Sequence, residues 1–160
     1  MKKLLNPRAT AAVAIAAAAA LSTTLALNTI APSSQPIPSD PAHIYTWDCE
    51  YPEHKPTSIM IMCGDGGIFI DKINWSTWSS IGAKGTGTWG ENLCEPSCAE
   101  GKYVYAPVNV ELSDLSARKG KYYLRTLDIS TQDGKDFPWG RANSLHWDVM
   151  EFAEIMDWDK

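Results

Sequence analysis

The chain has 160 residues, with 14 Lys or Arg against 19 Asp or Glu and a formal net charge of −5. Nucleic acids and anionic membranes are both negatively charged, so this acidity and the lack of a basic stripe argue against either as a partner. The length leaves room for one small domain after the N-terminal segments are set aside.

The N-terminus has the pattern of a secretory signal peptide. Three basic residues within the first eight precede an apolar run over residues 9–27. Thr24 and Ala26 are small residues at the positions that signal peptidase reads, so we expect cleavage after Ala26. Cleavage after Ala31 is disfavoured because Pro32 would follow it. A retained membrane anchor is the alternative, although Ala and Thr dominate the apolar run.

Cleavage would leave an acidic secreted protein with 11 Lys and Arg against 19 Asp and Glu, a net charge of −8. Residues 27–42 are rich in Pro and Ser and predict an extended linker. Residues 43–160 are expected to form a single β domain outside the cell or at its envelope, as a monomer or weak oligomer. We expect no stable membrane insertion once the signal peptide is removed.

The four cysteines predict two disulfides, as small secreted domains often need them. Zinc is a poor alternative, because there is no C-x-x-C pair and no histidine at ligand spacing. The turn-forming E-P-S between Cys94 and Cys98 favours a local bridge, which leaves Cys49 to pair with Cys63. A bridge from Cys63 to one of the later pair remains open.

The first hairpin is predicted around Asp65 and Gly66, between apolar runs at residues 58–62 and 68–73. The second strand should continue through Trp75. Trp75 and Trp78 are three residues apart and cannot share one face of a regular strand. We therefore expect a bend or a bulge near Ser76.

The following segment predicts two more strands. Glycines alternate with other residues in A-K-G-T-G-T-W, which suits a twisted strand close to another backbone rather than a phosphate-binding loop. Residues 102–112 place Val108, Val110 and Leu112 on one face. Pro107 indicates an edge position or a bulge, because proline cannot donate to the ladder.

The C-terminal third predicts a loop over residues 113–120, a strand over residues 121–130 and a second loop over residues 133–140. The apolar spacing of residues 144–158 favours an amphipathic helix, although its start could equally be a strand. Short strands and turn signals together predict a mainly β fold, a small antiparallel β-sandwich or barrel with two disulfides and a C-terminal helix.

No catalytic motif, cofactor site or metal site is predicted. His43, His54 and His146 lie outside any nucleophile motif and are best interpreted as surface histidines. Asp65 is explained by its turn. Asp133 and Asp136 lack the oxygen spacing of an EF-hand and predict a solvated turn. The acidic C-terminal positions predict a solvated face or a partner surface.

The seven tryptophans carry the strongest indication of a binding role. A domain this small cannot easily bury seven indoles, and exposed aromatic rings can stack on sugars or anchor a protein interface. The candidate binding residues are Trp75, Trp78, Trp89 and Trp139. The alternative is that Trp75, Trp78 and Trp89 fill the core.

Residues 63–101 carry a set of motifs that resembles a family. The motifs are C-x-D-G at residues 63–66, W-x-x-W at 75–78, A-x-G-x-G at 83–87 and N-x-C-x-P-x-C-A-x-G at 92–101. With P-V-x-V-x-L at residues 107–112, they resemble a group of small secreted actinobacterial proteins. That group is functionally uncharacterised, so the resemblance implies no catalytic residue.

Three functional hypotheses follow. The first is a secreted, non-catalytic module that binds a protein or a glycan through exposed Trp or Tyr. The second is a hydrolase that uses an Asp/Glu pair or a histidine. The third is a protease inhibitor that presents the loop between Cys94 and Cys98.

Overall fold

A computed structural model describes residues 36–49 and 51–156, without the side chain of Trp139. The predicted signal peptide, its cleavage site, the linker up to residue 35 and the last four residues lie outside the described range. Among the described residues, no helix is both long and apolar enough to cross a bilayer.

The described chain is mainly β, which confirms the predicted fold class. It contains two short 3-10 turns, Pro41–His43 and Pro138–Gly140. These elements are β1 (Ile44–Asp48), β2 (Tyr51–Glu53), β3 (Ile59–Met60), β4 (Ile68–Ser79), β5 (Gly82–Asn92), β6 (Tyr103–Arg118), β7 (Lys121–Thr131), β8 (Ser144–Asp148) and α1 (Glu151–Met156).

The strands form one sheet in the order β2-β1-β7-β6-β5-β4-β3, curled as a half-barrel. Strands β4 to β7 are consecutive antiparallel neighbours, because each is joined to the next by a tight turn or loop. One pair departs from the antiparallel expectation. β1 runs parallel to β7, and β8 pairs with the later part of β7 on the same side.

The curl brings the two ends of this strand order together. The indole Nε1 of Trp78 in β4 donates to the carbonyl of Ile44 in β1 at 3.1 Å, although three strands separate them in the sheet. A second connection between the two ends consists of the disulfide between Cys49 and Cys63 and the 2.8 Å hydrogen bond from the Met60 amide to Asp48 Oδ1. We call this second connection the clasp.

Two apolar clusters hold the fold. The main core lies inside the curl, where Trp89 packs on Phe137 with ring centroids 4.8 Å apart. The second cluster joins β1 and β7 to the C-terminal helix. Its buried members are Trp47, Tyr123, Met150 and Ala153.

Both disulfides form as predicted, Cys49 with Cys63 and Cys94 with Cys98. The predicted bulge in β4 is also confirmed. The pairing with β5 shifts between Trp75 and Thr77, and this shift brings the rings of Trp75 and Trp78 into an edge-to-face contact with centroids 5.0 Å apart. The bulge therefore turns both indoles towards the same side.

The hairpin predicted around Asp65 and Gly66 is confirmed, with β3 antiparallel to β4. Gly66 has a φ of +67°, which favours glycine, and Asp65 Oδ1 accepts from the amide of Gly67 at 2.9 Å. The aspartate therefore has the structural role that the sequence predicts.

The loop expected over residues 113–120 is wrong. Strand β6 continues to Arg118, and the turn is limited to Lys119 and Gly120, both with positive φ. The polar residues there belong to a half-exposed hairpin. Leu124 and Leu127 of β7 both face the core although they are three residues apart. Strand β6 changes its facing at the same place, so the pairing of the two strands stays in register.

Pro107 lies in the central strand β6, but at this position β6 is paired only with β5. The pairing of β6 with β7 begins only at Val108, opposite Thr131. The carbonyl of Pro107 accepts from Gln132, so the missing N–H faces the end of β7.

The predicted C-terminal helix is confirmed only over its later part, and the strand alternative holds for the start of residues 144–158. Residues Ser144–Asp148 form β8, because the free side of β7 offers them a ladder, and the helix is confined to Glu151–Met156.

Candidate functional site

The tryptophans predicted to bind a ligand are largely structural. Trp78 and Trp89 are only 6% and 1% exposed, so they cannot stack on a ligand in this fold. Trp75 is partly buried against the core, and its Nε1 donates to the carbonyl of Pro56 at 2.8 Å. The core-filling alternative therefore describes these three indoles. The side chain of Trp139 lies outside the description.

Exposed aromatic rings occur instead on the outer face of the sheet. Tyr103 and Tyr105 project from β6 at alternate positions, 41% and 60% exposed, with ring planes 22° apart and centroids 6.4 Å apart. Phe69 of β4 contacts Tyr103 with centroids 5.8 Å apart. We call these three rings the aromatic platform.

Gly90 of β5 provides the space for this platform. It pairs with Phe69 on one side and with Tyr105 on the other. A Cβ at position 90 would lie 2.7 Å from Cε2 of the Phe69 ring, so any larger residue would displace the ring. The outer end of the phenyl ring lies over Gly90, and the ring contacts Tyr103 of β6.

Polar groups border the platform on the same face. Asp71, Lys72 and Thr88 line a cavity of about 250 Å³ with Phe69 and Tyr105. This combination is suited to a sugar, because aromatic rings can cover its apolar C–H face while polar side chains bond its hydroxyl groups.

A larger depression of about 520 Å³ adjoins this cavity across β4 to β8; we call it the polar groove. A row of amide and hydroxyl side chains crosses its centre, with one residue on each of the five adjacent strands. The row consists of Asn74, Thr86, Asn109, Ser130 and Ser144. Such small side chains leave the groove open and offer both donors and acceptors.

Charged residues form the next row of the polar groove. Lys84 Nζ lies 3.0 Å from Glu111 Oε1, and His146 Nδ1 lies 2.7 Å from Asp128 Oδ1. Glu111 and Asp128 face each other on β6 and β7, so two carboxylates stand side by side. Each is held by its own partner, and all four side chains are well exposed.

The second surface of interest is an apolar groove of about 400 Å³ beside the clasp. Met62 and Trp147 line it from two sides, with Phe152 and Ile155 of α1, and all four side chains are exposed. The clasp carboxylate of Asp48 lies close by. Burial raises the pKa of Asp48, and the Met60 hydrogen bond opposes that rise.

Ion pairs fix α1 at the edge of the apolar groove. The guanidinium of Arg125 bonds both Asp148 and Glu154, and Arg118 also reaches Glu154 at 3.2 Å. The hydrogen bond with Asp148 is the main reason why the pKa of Arg125 is raised, so the cation persists at every ordinary pH.

The remaining candidates for chemistry have structural explanations. His54 Nδ1 lies 2.9 Å from the carbonyl of Ile44, and its ring packs edge-on against Trp78. Asp133 accepts from the amide and ammonium groups of Lys135, which lowers its pKa and matches the predicted turn. His43 is exposed beside Asp40.

The loop between Cys94 and Cys98 is exposed, as an inhibitory loop would need to be. Asn92 holds both ends: its Oδ1 accepts from the Cys94 amide at 2.9 Å and its Nδ2 donates to the Cys98 carbonyl at 2.8 Å. The asparagine and the disulfide together fix the loop conformation.

Within the described ranges no cluster of three or more His, Cys, Asp or Glu side chains could hold a metal ion. The architecture is thus a disulfide-linked half-barrel with an aromatic and polar outer face. No family model matches the chain, and no curated protein or solved structure is significantly similar to it.

Sequence reasoning missed the aromatic platform because it concentrated on tryptophan. The alternation Y-V-Y at residues 103–105 already predicts outward tyrosines, because Val108 and Val110 of the same strand occupy the inward-facing alternate positions. The position of Phe69 beside them could not be predicted, since it depends on the register of β4 against β5.

Proposed function

We propose that this chain is a secreted, non-catalytic module that binds a glycan on the outer face of its sheet. The observation that carries the proposal is the aromatic platform, in which Tyr103 and Tyr105 are exposed, Phe69 is half-buried, and polar side chains border the rings. Aromatic faces bury the C–H surface of a sugar ring, and adjacent polar groups fix its orientation.

Secretion is part of the same proposal. The signal-peptide pattern and the two disulfides support an oxidising location, where polysaccharides of cell surfaces are accessible. The motifs shared with small secreted actinobacterial proteins support the same location. The acidic balance of the chain disfavours nucleic acid as the ligand.

The test is affinity electrophoresis and calorimetric titration of the mature protein against soluble cellulose, mannan and chitin fragments. We expect Tyr105→Ala to weaken binding by about tenfold, because a stacked ring contributes on the order of 1 kcal/mol beyond its buried area. Tyr51→Ala is the matched control, since Tyr51 is 65% exposed on β2 and lies outside the platform. Equal affinities of the two variants, or no binding to any fragment, would overturn the proposal.

A protein partner at the apolar groove is the second candidate. Met62, Trp147, Phe152 and Ile155 form an exposed apolar surface there, and such surfaces are typical of protein contacts. Trp147→Ser should then abolish capture of a secreted partner while glycan binding stays unchanged. Capture that is insensitive to this substitution would exclude the groove.

A hydrolase is the third candidate function. In that case Glu111 and Asp128 would act on a bound glycan. Release of new reducing ends during incubation with the fragments would favour it and would contradict the non-catalytic proposal. Glu111→Gln should then abolish that release.

A further inference from the structure

We propose that the aromatic platform and the polar groove together bind one linear, uncharged polysaccharide that crosses the outer face as a continuous chain. This inference rests on the proposed glycan-binding function and specifies its ligand. It states that the ligand is a polymer, that it lies along the direction of the strands, and that it carries no carboxylate.

The continuity of the face is the first argument. On β5, Thr88 lines the cavity at the platform and Thr86, the next outward residue, lines the polar groove. On β6, Tyr105 belongs to the platform and Glu111 to the far row of the groove. Six residues of extended strand separate them, about 20 Å. A single sugar ring cannot span this distance, whereas an extended oligosaccharide can.

The division of chemistry along the face is the second argument. At one end the rings offer stacking surfaces, and at the other the side chains of Asn109 and Ser130 offer hydrogen bonds on adjacent strands. Stacking anchors one sugar and is tolerant of its identity. Hydrogen bonding by fixed amides and hydroxyl groups reads the hydroxyl groups of the following sugars.

Charge is the third argument. Glu111 and Asp128 present neighbouring carboxylates at the end of the groove, held in place by Lys84 and His146. Held carboxylates are strong acceptors for sugar hydroxyl groups. They also repel a uronic acid or a sulfated sugar, and the net charge of the mature chain adds to that repulsion.

The test is calorimetric titration of the mature protein with oligosaccharides of the cellulose, mannan and chitin series, from disaccharide to hexasaccharide. We expect affinity to rise about tenfold or more between the shortest and the longest members of the series that binds. Oligogalacturonate of equal length should bind at least tenfold more weakly, and the difference should shrink when salt is added.

Two variants separate the two parts of the face. Asn109→Ala should leave disaccharide binding unchanged and remove most of the gain with length, because it alters only the groove. Tyr105→Ala should weaken binding at every length. Asn143→Ala is the control for Asn109, since Asn143 is exposed and does not line the groove. The double substitution Glu111→Gln with Asp128→Asn should raise binding of oligogalacturonate relative to the neutral series.

The outcomes distinguish the two proposals. Equal affinity for disaccharide and hexasaccharide, with Tyr105→Ala still weakening both, would overturn the continuous site and leave the platform as a glycan site. Preference for oligogalacturonate would overturn the charge argument. No binding to any series would overturn the proposed function itself.

Discussion

The carboxylate of Asp48 in β1 accepts a hydrogen bond from the amide of Met60 in β3 at 2.8 Å. These strands stand near opposite ends of the strand order, so the bond closes the curl together with the adjacent disulfide. Asp48 is partly withdrawn from water, and burial is the main cause that raises its pKa above the ordinary value of 3.8.

Asp48→Ala should therefore lower the free energy of unfolding by about 1–3 kcal/mol, because the Met60 amide loses its acceptor. Asp48→Asn keeps an acceptor oxygen and removes the desolvated charge, so it should be neutral or stabilising at pH 7. Urea unfolding of the three proteins tests this. A loss for Asp48→Asn as large as that for Asp48→Ala would show that the charge itself closes the curl.

The same comparison has a pH dependence with a definite sign. Because the folded state holds the Asp48 proton more tightly, its contribution to stability is complete below the unfolded pKa and is lost as the pH rises through the folded pKa. The stability of Asp48→Asn relative to the natural protein should thus increase from pH 3 towards neutrality. A decrease over that range would contradict the raised pKa.

The two disulfides should contribute unequally. Cys49 and Cys63 are 14 positions apart in the sequence, whereas Cys94 and Cys98 are 4 positions apart. Loop-closure entropy predicts a loss of about 3 kcal/mol for Cys49→Ser with Cys63→Ser, and about 2 kcal/mol for Cys94→Ser with Cys98→Ser. Asn92 should reduce the second loss further. Thermal and urea unfolding of both double variants measure the difference; a larger loss at the shorter loop would contradict the prediction.

Gly90→Ala should displace the Phe69 ring and destabilise the protein by about 1–3 kcal/mol, as overpacking does. Gly64→Ala is the control, because a Cβ at position 64 meets nothing within 4 Å and its expected effect is within about 0.5 kcal/mol. Near-ultraviolet circular dichroism and urea unfolding report on both. Equal stability of the two variants would show that the ring does not need the glycine.

Arg125→Ala should detach α1 without unfolding the sheet, because Asp148 loses the guanidinium that bonds both of its oxygens and Glu154 keeps only Arg118. Hydrogen exchange of residues 151–156 should then accelerate at least tenfold while β5 and β6 remain protected. Lys135→Ala is the control, since its ion pair with Asp133 is exposed to solvent and such pairs add little to stability. Uniform acceleration throughout the chain would instead assign Arg125 to the global fold.

Local chemistry explains which parts of the fold could be predicted. The Asp65-Gly66 turn, the β4 bulge between two indoles and the local Cys94–Cys98 bridge each depend on residues within a few positions of one another. The parallel pairing of β1 with β7 could not be predicted, because its partners, such as Ile44 and Tyr122, are distant in sequence.

The outer face of the sheet shows the same distinction. Trp78 and Trp89 are candidates because a small domain cannot easily bury seven indoles, but a large apolar indole also fills a core well, and both are buried. The platform depends on Phe69, Gly90 and Tyr105 meeting across three strands, and only the register of those strands brings them together.

The pairing of β1 with β7 also sets an order in which the chain can fold. Strands β4 to β7 can pair as successive hairpins, whereas β1 has only the three-residue strand β2 beside it until residues 121–131 have been made and folded. In a chain that emerges from its N-terminus first, β1 can therefore pair with β7 only late in folding. The bridge between Cys49 and Cys63 spans few residues and can close before β7 has formed. It then holds β1 beside β3 until β1 pairs with β7.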